Sequence, residues 1–188
     1  VLKQLLVKWL LYEYLMTGTM PIQRNEMSEK IIITGLVNKP KEFGYSDLAL
    51  LPDQIKDVST LVAGREGVGV KLSAIMAVVE PKKDVQYITL EAEGDFAASI
   101  PLDAVLDQAI VWYGLDGGPL PVEKGGPIRF LIPDPAACGT DVVDQCANVK
   151  WLKSIEMSAE RGRDIRPSTL RAHEELHEKE KRGEQSGL

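Results

Sequence analysis

Histidine and cysteine are the scarcest chemistry-bearing residues of this 188-residue chain, with two of each. Two cysteines cannot staple a disulfide-rich fold or build a four-thiolate zinc site. There is no Gly-rich nucleotide loop, no haem-attachment motif and no internal repeat, so any electron-transfer partner would be a separate protein. No apolar run reaches the roughly 20 residues that a spanning helix needs. Positive charge is short as well: 22 Lys+Arg stand against 28 Asp+Glu, a net of −6, which argues against a nucleic-acid binder. What is present is ordinary for a globular chain, 44% hydrophobic and 27% charged, and is long enough for one domain with a sizeable core. This inventory favours a domain that binds a ligand over one that performs acid–base chemistry with its own imidazoles.

The deficit of positive charge is local. Residues 1–27 carry Lys3, Lys8 and Arg24 against Glu13 and Glu26, and residues 159–188 balance their bases and acids, so the middle holds the whole acidic surplus. The middle also holds all glycines but Gly18, Gly162, Gly183 and Gly187, and all prolines but Pro21 and Pro167. These residues punctuate short apolar runs. The chain therefore divides into an N-terminal Leu-rich helical extension (1–27), a central domain (28–158) and a charged helical tail (159–188).

The N-terminal extension is too short and too interrupted by Lys8 and Glu13 to span a membrane. It reads as a helix that packs on the domain or a partner, as an interfacial helix, or as sequence upstream of a start at Met27. It lacks the small-residue cleavage site of a secretory signal, which predicts a cytoplasmic protein. In the tail, His173-Glu174-Glu175-Leu176-His177 matches a zinc-protease pattern, since i, i+4 spacing puts both imidazoles on one helix face. Its surroundings are charged nearly all round and offer little apolar surface for a cleft, so the segment reads as a solvated helix or interaction arm.

In the middle, Lys30 to Val37 is β-branched and predicts a strand, followed by a turn at Asn38-Lys39-Pro40. Tyr45 to Pro52 predicts a short helix with Ser46 as N-cap. Asp57 to Ala63 predicts a strand, Lys71 to Val79 a helix, Val85 to Glu91 a strand and Pro101 to Val111 a helix. Ile128 to Ile132 and Val149 to Met157 predict two more strands. Strands mixed with short helices give an α+β domain.

Several of these segments, in order, resemble the molybdopterin-binding domain of the sulfite oxidase family. They are Ile33-Thr34-Gly35-Leu36-Val37, Leu48 to Pro52, Gly69-Val70-Lys71-Leu72, Gly94-Asp95-Phe96 with Ser99-Ile100-Pro101-Leu102, and Asp116 to Pro121. Gly125-Gly126-Pro127-Ile128-Arg129 and Val149-Lys150-Trp151-Leu152 complete the set and carry it most strongly. The resemblance implies an α+β fold of mixed β-sheets with short helices. It also implies a pterin whose dithiolene, with one cysteine thiolate, holds molybdenum for oxygen-atom transfer to or from a small substrate. Basic side chains would meet the anionic pterin phosphate, and Arg65, Arg129 and Lys150 stand where such contacts are expected. Their alternative role is to form salt bridges within an acidic domain.

Where the family has its ligand cysteine, this chain has Val62-Ala63-Gly64-Arg65. Valine and alanine cannot coordinate a metal. Ala147 stands where the family tends to place a base, and Lys124 where a histidine commonly precedes the Gly-Gly-Pro segment. The two cysteines, Cys138 and Cys146, lie eight positions apart in a loop and read either as ordinary thiols or as a redox pair or substitute metal ligand. Two functions follow. The chain is a non-catalytic binding or assembly subunit, with its N-terminal helix and charged tail as protein contact arms, or it is a molybdopterin-dependent oxidoreductase with an altered metal ligand.

Overall fold

The computed structural model describes residues 29–166; the Leu-rich extension and the His173–His177 motif lie outside them. Two five-stranded sheets make up the domain. In the first, the order is β2-β1-β10-β5-β6, with β1 (Lys30–Gly35), β2 (Lys41–Gly44), β5 (Tyr87–Ala92), β6 (Ala97–Pro101) and β10 (Leu152–Ser158). Strands β1 and β10 run parallel with Ile33 opposite Ile155, and the other pairs are antiparallel. The second sheet has the order β3-β4-β7-β8, formed by β3 (Gln54–Ile55), β4 (Val68–Lys71), β7 (Ile110–Leu115) and β8 (Gly118–Pro119). Strand β9 (Arg129–Leu131) also pairs with β7. Three short helices, α1 (Tyr45–Ala49), α2 (Leu72–Val79) and α3 (Leu102–Val105), complete the α+β architecture. No helix among the described residues is long and apolar enough to cross a membrane.

Alternation along the strands builds the core. In β1, Ile31 and Ile33 are fully buried while Ile32 is exposed. Strand β7 is buried on both faces: Val111 and Tyr113 join the main core with Ile31, Phe43, Leu90 and Phe130, whereas Ile110 and Trp112 join a second cluster with Val58, Leu120 and Leu131. Strand β9 divides in the same way, with Phe130 in the first cluster and Leu131 in the second.

Five local readings of the sequence are corrected. Asp57 to Ala63 is not a strand, because its polar side chains bond the backbone locally. The Asp57 carboxylate accepts from the Ser59 N–H at 2.9 Å and the Thr60 hydroxyl donates to the Asp57 carbonyl at 2.7 Å, which winds Val58–Thr60 into a 3-10 turn. Pro101 to Val111 is not one helix: α3 ends within a turn, and Ile110-Val111 enters β7, whose all-apolar run mimics a helical stripe. Ser46 lies inside α1, and Gly44 is its N-cap, with the Gly44 N–H donating to the Asp47 carboxylate at 3.0 Å. Strand β5 begins at Tyr87, two residues after Val85. The last strand starts at Leu152, because Trp151 takes a left-handed φ of 52° that breaks the ladder.

After β10 the chain returns along β6. The Ile165 N–H donates to the Ala97 carbonyl at 3.0 Å and the Gly162 N–H to the Ser99 hydroxyl at 2.9 Å. Arg166, with a side chain only 5% exposed, fastens this arm by donating to Asp164 at 2.7 Å, Asp144 at 3.1 Å and the Val142 carbonyl at 2.9 Å. Burial alone would raise the Asp164 pKa, but the hydrogen bonds from Arg166 and Arg161 outweigh it and hold the carboxyl down at about 2.

Candidate functional site

The two segments that carry most of the family resemblance, distant in sequence, lie side by side. The Trp151 N–H donates to the Gly125 carbonyl at 2.8 Å, the Leu152 N–H to Ile128 at 2.9 Å and the Phe130 N–H to Val149 at 2.9 Å. Gly125 is required at this crossing. Its φ is 86°, and a β-carbon there would stand 2.9 Å from Lys150 Cγ and 3.2 Å from Arg129 Cδ. The Trp151 indole fixes the outer edge by donating to the Val122 carbonyl at 3.1 Å.

Arg129 opens β9, and its backbone is in register with Trp112 on β7. Cross-strand partners share a face, so Arg129 and Trp112 lie on the side of the second cluster. Arg65, from the loop after the 3-10 turn, sits over the Trp112 ring at 6.0 Å. Arg65, Arg129 and Lys150 thus line one cleft of about 410 Å³, together with Glu93, Phe96, Gln145, Cys146, Asn148 and Trp151. Among the described residues, none of the three cations forms an ion pair. Arg129 is the telling case, being only 6% exposed. Among the described residues its side chain makes one hydrogen bond, to the Lys124 carbonyl at 3.1 Å, and its Nε has no partner. Burial, reinforced by the charge of Arg65, holds its pKa down at about 10. A buried guanidinium without a carboxylate is a costly arrangement that an anion entering the cleft would relieve.

Val62, where the sequence resemblance leads one to expect the family's thiolate, is half-buried against the second cluster, and Ala63 is exposed. Ala147 is fully buried in the main core, and Lys124 contributes its carbonyl oxygen to Arg129. The cysteines form no disulfide. Cys138 packs against the main core with its Sγ 3.7 Å from the Asp134 carbonyl, and burial, followed by the Asp134 charge, raises its pKa. Cys146 lines the cleft instead. Sequence reasoning missed Trp112, whose fully buried indole Nε1 has no hydrogen-bond partner among the described residues, because it is indistinguishable within an apolar run.

Fold and cleft together define an α+β domain of two mixed sheets whose cleft is lined by a β-strand arginine and a following Lys-Trp loop. The family model for the oxidoreductase molybdopterin binding domain matches residues 59–165, and the chain belongs to that family. It is 25% identical over 156 residues to the Uncharacterized oxidoreductase YuiH of Bacillus subtilis (strain 168), covering 79% of this chain and 75% of that one. It is 27% identical over 100 residues to Nitrate reductase [NADPH] of Fusarium oxysporum, covering 49% of this chain but 10% of that protein. The crystal structure of the sulfane dehydrogenase SoxCD from Paracoccus pantotrophus shares the fold with a TM-score of 0.54 at 21% identity, covering 74% of this chain and 40% of that one.

Proposed function

We propose that this domain binds the anionic end of a molybdopterin and serves as a binding or assembly subunit, without catalysing oxygen-atom transfer itself. The observation that carries this reading is the buried Arg129, which has no ion pair among the described residues and lines a cleft with Arg65 and Lys150. A planar guanidinium without a carboxylate partner among the described residues suits a phosphate oxygen, and the two further cations add charge. The residues present therefore fit the pterin's phosphate. When the pterin carries molybdenum, the metal supplies oxygen-atom transfer; in this chain Val62 and Ala63 offer no ligand at the family's thiolate position. The N-terminal extension and the charged tail are the natural arms for a protein partner.

The second reading, an oxidoreductase with an altered metal ligand, is supported by the names of both curated relatives and by Cys146, a thiol on the cleft wall. Pterin and molybdenum measured on protein purified from its own host separate the two. Pterin without stoichiometric molybdenum supports the binding role. Stoichiometric molybdenum overturns it in favour of the second reading. Absence of pterin, together with no affinity for added phosphate, overturns both.

A further inference from the structure

Two walls of the cleft come from separate parts of the chain. One is the β5–β6 hairpin, which contributes Ala92, Glu93 and Phe96; the other runs from Gln145 to Trp151. Near Trp151 they meet directly, where the Glu93 N–H donates to the Trp151 carbonyl at 2.9 Å. Towards Gln145 they are joined by Arg166, which lies on the arm after β10 and not on the cleft lining. Its Nε and Nη2 donate as a fork to the Asp164 carboxylate at 2.9 and 2.7 Å, which fixes the plane of the guanidinium. On one side the fixed group donates to the Ser99 carbonyl of β6 at 3.2 Å. On the other it donates to the Val142 carbonyl at 2.9 Å and the Asp144 carboxylate at 3.1 Å. These bonds match the full set of N–H donors that an arginine has. Asp144 opens the 3-10 turn Gln145–Ala147, yet its carboxylate makes no capping bond to that turn. Its link to Arg166 is therefore separable from the geometry of the turn.

We propose that Arg166 is a positioning residue for the cleft, tying the β5–β6 hairpin to the turn Gln145–Ala147 and so setting the spacing of the two walls. The inference rests on the reading of the cleft as an anion site. Beyond the turn, the second wall is anchored to β9 and its neighbour: the Asn148 side chain accepts from the Ile132 N–H at 2.6 Å, and the Phe130 N–H donates to the Val149 carbonyl at 2.9 Å. Ahead of the turn, Arg166 is the tether to the hairpin. Without it the turn gains freedom that an anion must remove on binding, and affinity falls. A lysine keeps the charge but not the tie, because its three donors radiate from one atom and do not form a planar fork. The arm has its own hold on the hairpin, with Arg163 donating to the Asp95 carbonyl at 2.8 Å and the Ile165 N–H to the Ala97 carbonyl at 3.0 Å. Cutting the tie at Asp144 therefore leaves the arm in place.

The test takes two readouts on the full chain well below its melting temperature: amide hydrogen exchange resolved by peptide mass spectrometry, and phosphate affinity by calorimetric titration. Arg166→Gln and Arg166→Lys should both speed exchange in residues 92–97 and 143–151 while leaving β7 unchanged. Both should weaken phosphate binding about tenfold, a size of effect that residues outside a site exert on it. Asp144→Ala should act in the same direction and at the same residues, but less. Ile75→Val, a lesion of the fully buried core on α2, should lower stability without either effect. A uniform rise in exchange in the Arg166 variants, or an equal loss of phosphate affinity in Ile75→Val, overturns the proposal. Phosphate bound equally well by parent and Arg166 variants sinks this inference alone. A parent without phosphate affinity sinks the anion reading, and the exchange pattern then decides by itself whether Arg166 holds the walls.

Discussion

The guanidinium of Arg129 donates to the backbone carbonyl of Lys124 at 3.1 Å and to no carboxylate among the described residues, although the side chain is almost entirely buried. A backbone oxygen holds the group in place without neutralising it. The positive charge is therefore left without a counter-charge among the described residues, at a cost to the stability of the fold.

Arg129→Met tests that cost. Removing an unpaired buried charge offsets the lost hydrogen bond, so the variant should melt within about 1 kcal/mol of the parent. Phosphate at about 100 times its Kd should stabilise the parent by about 2.7 kcal/mol and the variant by almost nothing. A variant that collapses, or one that keeps the phosphate shift, contradicts this account.

Gly125→Ala should damage the crossing of the two cleft segments. The left-handed backbone costs about 1 kcal/mol with a β-carbon, and Lys150 and Arg129 must both move to make room. Denaturant unfolding should show the loss, and phosphate affinity should fall with it. Gly139→Ala, with a similar φ of 67° but nothing within 4 Å, should lose stability without losing phosphate affinity.

Asp164→Asn should change the acid limb of the stability curve. The folded pKa of about 2 lies below the ordinary aspartate value of about 3.9. This carboxylate therefore contributes stability above about pH 4, and that contribution is lost as the pH falls towards about 2. The asparagine variant should be less stable near neutrality, by roughly 2 kcal/mol for a partly buried pair with Arg166. Its curve should flatten below about pH 4 relative to the parent. Parallel curves would show that the Arg166 clasp does not depend on this charge.

Val62→Cys places a thiol where the sequence resemblance leads one to expect the family's ligand. The site is half-buried against the cluster of Val58, Ile110, Trp112, Leu120 and Leu131, so a smaller apolar side chain should cost no more than about 1.5 kcal/mol. In cells that make molybdopterin, the variant should carry more molybdenum per chain than the parent, measured by elemental analysis. Equal loading would mean that a thiolate at this position does not decide metal capture.

Much of the fold was legible because its signals are local. The β-branched run at Lys30–Gly35 and the apolar stripe of Leu72–Val79 need no long-range information to be read. The Asp57 turn and the split at Pro101–Val111 were not legible in the same way. In the first, side-chain bonding to the backbone won over strand propensity; in the second, burial of β7 on both faces erased the period that tells strand from helix.

The sequence by itself determined the family resemblance, the cations Arg65, Arg129 and Lys150, and the lack of a thiol at Val62 and Ala63, because each depends only on residue identity and order. Tertiary structure alone decided that those three cations share one cleft without an ion pair among the described residues, and that Cys146 lines that cleft while Cys138 does not. The physical reason is that charge compensation depends on which groups meet across the folded chain. Here, what meets Arg129 is the carbonyl of Lys124, where an acidic composition had offered 28 carboxylates.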